Sequence, residues 1–152
     1  MLLTSHLAAT LLLSQALAFS GPELATAVIS GVALDLDHLL VNRKWLGDIQ
    51  NFFQKGASTH GEVMQHSWLQ EPLFGLAAGV FIGLGVQAVF ASVPWWVFPL
   101  SQALHIGMDA LMDYEHRPLV PLSKLSYRGV IRSVTVNEAI ISSAAVLAIL
   151  LG

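Results

Sequence analysis

Apolar stretches long enough to cross a bilayer recur along these 152 residues, and they restrict the chain to few folds. A hydrocarbon core takes about 20 helical residues to span. Five runs approach that length: Leu2 to Phe19, Glu23 to Val41, Pro72 to Ser92, Pro94 to Tyr114 and Ser133 to Leu151. Hydrocarbon offers no partner to a backbone N–H or C=O, so such runs are expected to be helices. Charged residues form 11% of the chain, against roughly 25% in a soluble domain. Mean hydropathy is correspondingly high, at +0.66. Seven Lys/Arg and ten Asp/Glu cannot clothe a core of this size in polar groups. The expected fold is all-α: one integral membrane domain over residues 1–152, a helical bundle of about five transmembrane helices. In the polar loop after the second helix, Trp45-Leu46…Ile49…Phe52-Phe53 has the pattern of a short interfacial helix.

The basic residues orient the bundle. Arg43, Lys44 and Lys55 lie between the second and third runs, and Arg117, Lys124, Arg128 and Arg132 between the fourth and fifth. The turns at Gly21-Pro22 and Val93-Pro94 carry no Lys or Arg. With five spans, both basic loops and the N-terminus share one side, which the positive-inside rule makes cytoplasmic. Trp95 and Trp96 suit the outer headgroup belt, and Trp45, Trp68 and Tyr127 the inner one. Ala16-Leu17-Ala18 resembles a signal-peptide cleavage site, but no Lys or Arg precedes the first run, so that run is expected to stay as a span. Gly75, Gly79 and Gly83 recur every four residues and predict a ridge on which a second helix packs closely.

Ionisable groups inside apolar spans carry the chemistry. Each costs roughly 2.5–3.5 kcal/mol on insertion scales, so they face the interior and mark function. Here they are His6, then Asp35, Asp37 and His38, then His105 and Asp109, with His60 and His66 on the loop above. At 1.5 Å of rise per residue, His38 and Asp109 each lie about 6–7 Å from the cytoplasmic ends of their spans. His6 enters from the same side. The candidates thus fall at similar depth. His105 and Asp109 share a helix face, as do Asp35 and His38. Asp37 points about 160° away from Asp35 in a regular helix, so it joins only if the helix ends there or a second ion is bound. With no cysteine in the chain, a metal must be held by His, Asp or Glu. Such ligands accept a divalent ion, zinc by default, with manganese or iron as alternatives, and their number suits one or two ions. Ser101, one turn before His105, is placed to orient the imidazole. His116 and Asp113 are expected in solvent near the basic loop. For Glu138 a helix-packing hydrogen bond is expected rather than a role as general base.

This ordered set resembles the bacterial YdjM-like family, membrane-associated metal-dependent hydrolases also described as LexA-binding. The resemblance rests on His6, Asp35, Asp37, His38, His66-Ser67, His105 and Asp109, with Pro121-Leu122-Ser123 similar to the family's Pro-Leu-Ser segment. It implies a bacterial inner-membrane hydrolase. The His-x-x-x-Asp pair is also similar to one in the zinc phospholipase C and P1 nuclease group. One departure stands out: the family usually has Arg-Gly shortly before its His-Ser, and here the stretch is His60-Gly61-Glu62-Val63-Met64-Gln65. Phosphate recognition would then fall to Arg117 or Arg128.

The expected function is metal-dependent hydrolysis of a phosphoester or ester of a lipid or lipid-linked substrate at the cytoplasmic leaflet. Asp37 is the candidate base, or else a bridging ligand. The weak net charge of −3 and the lack of a basic stripe exclude nucleic acid as a partner. The bilayer and a lipid-like substrate are the expected partners, with a protein partner or a homo-oligomer compatible with them. Two other classes fit the same residues: a metal or proton transporter, and a non-catalytic membrane protein with a structural metal.

Overall fold

The computed structural model describes residues 1–36, 68–113, 115–119, 121–131 and 135–151. Five α-helices lie among them: α1 Leu3–Ala16, α2 Gly21–Val32, α3 Pro72–Val89, α4 Val97–Ala110 and α5 Val136–Leu151. Two 3-10 turns flank them, Ala33–Leu36 directly after α2 and Trp68–Gln70 before α3. The chain is therefore mostly helical, as its apolar runs predict. A small exception is the antiparallel pairing of Glu115–His116 with Tyr127–Arg128. The interfacial helix expected near Trp45 lies outside the described residues.

The helices are shorter than the runs that contain them. By length and composition α3 alone, 18 residues with a hydropathy of 1.8, qualifies to cross a membrane among the described residues. The others have 12 to 16 residues, or about 18–24 Å. Local chemistry sets the limits. After α1, Ala18 takes a left-handed conformation (φ 51°). Its N–H donates to Gln15 O at 3.1 Å and the Phe19 N–H to Ser14 O at 2.9 Å, the paired bonds that close a helix C-terminus. The Glu23 carboxylate then accepts the Ser20 N–H at 2.7 Å, and Pro22 sits in the first turn of α2.

The helices pack in the order α3, α4, α2, α1, α5, each against its neighbours. The glycine ridge explains the α3–α4 contact. On α4, a Cβ at Gly75 would run into Ile106 Cδ1, at Gly79 into the Gln102 amide oxygen, and at Gly83 into Pro99 Cδ. Only a bare backbone lets α4 come this close.

Burial is inverted relative to a soluble core. Among the described residues the buried hydrophobic positions number seven: Ala8, Leu11, Ala27, Val93, Val97, Ile106 and Met112. Thirteen buried positions are polar or charged, His6, Thr10, Ser101, His105 and Asp109 among them. Large apolar side chains point outward instead, including Phe81 at 76% exposure on α3 and Ile141 at 69% on α5. One small apolar cluster, Ala27, Val93 and Val97 backed by Phe19 and Val86, lies toward the α1–α2 and α3–α4 turns. The polar interior occupies the other end.

Candidate metal centre

Alternating helix direction brings the start of α1, the 3-10 turn after α2 and the last turns of α4 to that end. His6 comes from the first of these, Asp35 from the second, His105 and Asp109 from the third. One ligand atom from each of the four lies within 4.8 Å of all the others. Three of the side chains are almost fully buried, and Asp35 keeps a side-chain exposure of 10%.

Asp109 stands between the imidazoles, with Oδ1 3.1 Å from His6 Nε2 and Oδ2 3.2 Å from His105 Nε2. Asp35 lies across from it, Oδ2 3.8 Å from His6 Nε2 and Oδ1 3.6 Å from His105 Nε2. The two rings stack, centroids 3.8 Å apart and planes inclined by 19°. The Met1 amino group approaches Asp109 Oδ1 at 2.8 Å.

The decisive contact is on the far side of His105. Its Nδ1 lies 2.8 Å from Gly31 O. A carbonyl only accepts, so Nδ1 carries the proton, and in the neutral ring Nε2 presents its lone pair to the cluster. That lone pair faces carboxylate oxygens, and His105 Nε2 makes no hydrogen bond among the described residues. Asp35 Oδ2 is likewise buried without one. Carboxylates this close together in a buried site call for positive charge. The Met1 amino group supplies some at Asp109 Oδ1, and among the described residues none of it reaches Asp35 Oδ2 or His105 Nε2 by a hydrogen bond. A divalent ion meets that demand, and a ligating His whose other nitrogen donates to a backbone carbonyl is the arrangement metal sites use. The His6, Asp35, His105 and Asp109 group could hold a metal ion.

Supporting residues come from neighbouring elements. Gln70 Nε2 donates to Leu34 O at 3.1 Å, tying down the turn that carries Asp35. Glu138 Oε1 on α5 accepts the Leu2 N–H at 2.9 Å and the Ser5 hydroxyl at 2.7 Å, anchoring the first turn of α1 beside His6. Thr4 and Ser142 share a 2.6 Å hydrogen bond along the same contact. Glu138 thus makes the expected helix-packing hydrogen bonds.

Of the eight ligands expected from sequence, the structure gathers four. Asp37, His38, His60 and His66 lie outside the described residues. The condition set for Asp37 is met as far as Leu36, because α-helical geometry ends at Val32 and tightens into a 3-10 turn. Two other expectations need correction. Ser101 does not orient His105; its Oγ is buried with no hydrogen-bond partner among the described residues, and Gly31 O does that work. His116 is not in solvent: Nε2 donates to Met112 O at 3.2 Å, and the ring stacks on Tyr127 with centroids 4.9 Å apart. Arg117 and Arg128 form solvent-exposed ion pairs with Glu115 and Asp113. Gly31 and Gln70 escaped sequence reasoning. A backbone carbonyl is common to every residue, and a Gln next to a proline-capped helix gives no sign of its target.

The fold and the cluster define a class: a helical protein with an apolar exterior and an interior His/Asp group of metal-ligand geometry. No protein-family model, curated protein or solved structure matches the chain.

Proposed function

We propose that this chain is a membrane-embedded, metal-dependent hydrolase of the YdjM-like kind. It acts on a phosphoester or ester of a lipid or lipid-linked substrate at the cytoplasmic leaflet of a bacterial inner membrane. The observation that carries the metal reading is the gathering of His6, Asp35, His105 and Asp109, whose ligand atoms lie within 4.8 Å of one another, with His105 Nδ1 tied to Gly31 O at 2.8 Å so that Nε2 faces both carboxylates. The inverted burial supports the membrane reading. Outward Phe, Leu and Ile on α3 and α5 would otherwise be a large exposed apolar surface. Short helices are accommodated by local thinning of the bilayer.

A divalent ion, zinc by default with manganese or iron as alternatives, supplies Lewis acidity and a water that ionises near neutral pH. The protein's own groups do the rest. His6, Asp35, His105 and Asp109 bind; Gly31 orients His105; Glu138 and Gln70 hold the segments that carry His6 and Asp35. Asp37 is our candidate for the base that orients the attacking water. Hydrolysis consumes one water and releases an acid and an alcohol. A site beneath the headgroups favours a lipid ester, because water-soluble esters have little access there.

The test is metal analysis of the purified protein joined to hydrolysis of fluorogenic phospholipid and carboxylic-ester substrates. Bound metal and chelator-sensitive turnover are expected together. Protein that takes up no zinc, manganese or iron, and gains no turnover from them, would sink the reading. Orientation has its own test: a reporter after Gly152 should read as periplasmic and one near Lys55 as cytoplasmic, and the reverse would move the site to the outer face.

A second reading has a specific observation behind it. Thr10 and Ser14 continue the buried face of α1 beyond His6, and Ser30 and Ser101 are buried on α2 and α4. That polar continuation is what an ion or proton relay needs. Metal uptake into proteoliposomes without hydrolysis would favour it.

A further inference from the structure

The donors of the cluster divide into two matched sets. His6 Nε2 donates a hydrogen bond to Asp109 Oδ1 at 3.1 Å, a proton that a bound ion would replace, and lies 3.8 Å from Asp35 Oδ2. His105 Nε2 faces the opposite oxygens, Asp109 Oδ2 at 3.2 Å and Asp35 Oδ1 at 3.6 Å. Each imidazole therefore addresses one oxygen of each carboxylate, and each carboxylate spans both imidazoles. Two donors bound at 2.0–2.2 Å to one ion, and 90–120° apart around it, are separated by roughly 2.8–3.8 Å. All four separations fall in that interval.

Ring geometry says how many ions these sets serve. An ion bound to an imidazole lies close to the ring plane, along the lone pair of the ligating nitrogen. The His6 and His105 rings are stacked, 3.8 Å between centroids and 19° between planes. Planes so close and so nearly parallel do not meet within bonding reach of either Nε2. One ion cannot sit on both lone pairs without unstacking the rings, whereas two ions side by side can. The 3.8 Å ring spacing also equals the roughly 3.5–4 Å between ions in two-metal hydrolytic sites.

We propose that the cluster is a dinuclear centre in which His6 holds one ion, His105 holds the other, and Asp35 and Asp109 each bridge the two. This rests on the metal-site reading above and deepens it. Each ion receives one nitrogen and two oxygens from the described residues, which leaves positions on both ions for substrate. A phosphoester has two charge-bearing non-bridging oxygens that can span the pair, whereas a carboxylic ester has a single carbonyl oxygen, so the substrate class is a phosphoester.

The experiment is a metal titration of the full-length, metal-stripped protein in detergent. Bound Zn2+ and Mn2+ are counted after gel filtration, and the Mn2+ form is followed by electron paramagnetic resonance. The expected result is two ions per chain, with the spectrum of isolated Mn2+ giving way to a spin-coupled signal as the second ion enters. His6→Ala and His105→Ala should each retain one ion, with an uncoupled spectrum at saturation. A single uncoupled ion in the saturated wild type overturns the dinuclear centre and leaves the metal reading standing. No ion in the wild type overturns the metal reading itself. Should either variant fail to fold, the wild-type count and coupling decide alone.

Discussion

His105 donates its Nδ1 proton to the main-chain oxygen of Gly31, one turn before Asp35, across the α4–α2 contact. One hydrogen bond thereby places the proton on Nδ1 of a buried imidazole and registers α4, which carries His105 and Asp109, against the end of α2, where the 3-10 turn bearing Asp35 begins.

Replacing His105 with Ala should weaken binding of the ion it holds, and replacing Asp109 should weaken metal binding as a whole, in each case by more than the 10–100-fold typical of a supporting residue. Hydrolysis should be lost with it, while membrane insertion survives, since removing a buried polar group eases insertion. A simple ion pair predicts otherwise. His105→Ala would then strand Asp109 and destabilise the bundle, and a double apolar replacement would restore it. Thermal melts of the single and double variants beside metal content distinguish the two; restored stability with unchanged metal would refute ligation.

Gln70→Leu keeps the volume of the side chain and removes the donor to Leu34 O. The 3-10 turn carrying Asp35 should loosen, lowering metal affinity about tenfold with helical content unchanged. Isothermal titration and circular dichroism on one sample check both halves of this expectation. Unaltered affinity would mean that the turn holds Asp35 without Gln70.

Glu138→Ala removes the acceptor for the Leu2 N–H and the Ser5 hydroxyl. A loss of about 1–3 kcal/mol is expected from stranding those donors. Glu138→Gln keeps an acceptor oxygen and should recover most of it. A general base would behave differently: Gln would abolish turnover while leaving stability near wild type. Measuring melting temperature and turnover on both variants separates anchoring from base chemistry.

Gly79→Ala places a methyl group against the Gln102 amide oxygen, and the α3–α4 contact must open. The expected cost is about 1–3 kcal/mol by thermal unfolding in detergent. Gly85→Ala is the control, because nothing lies within 4 Å of the Cβ it would add. Equal behaviour of the two variants would show that the ridge is not a packing surface.

Much of this was legible in the residues themselves. Transfer free energy belongs to the side chain, so long apolar runs mark helices and buried His and Asp within them mark the interior. Spacing is also local, which is why the Gly75, Gly79 and Gly83 ridge and the shared face of His105 and Asp109 could be read directly. Atom-to-atom partnership is not local. Only the packing of α4 on α2 decides that Gly31 O, rather than Ser101, holds His105. His116 looked solvated because it lies near the basic loop; pairing of Glu115–His116 with Tyr127–Arg128 sets it against an aromatic ring. The end of α2 at Val32 was equally hidden, since no proline marks it and Gly31 stands within the helix. Composition determined what kind of solvent the surface and interior must prefer, because that preference is summed residue by residue. The tertiary structure alone decided which oxygen meets which nitrogen, because that depends on where distant segments are held together.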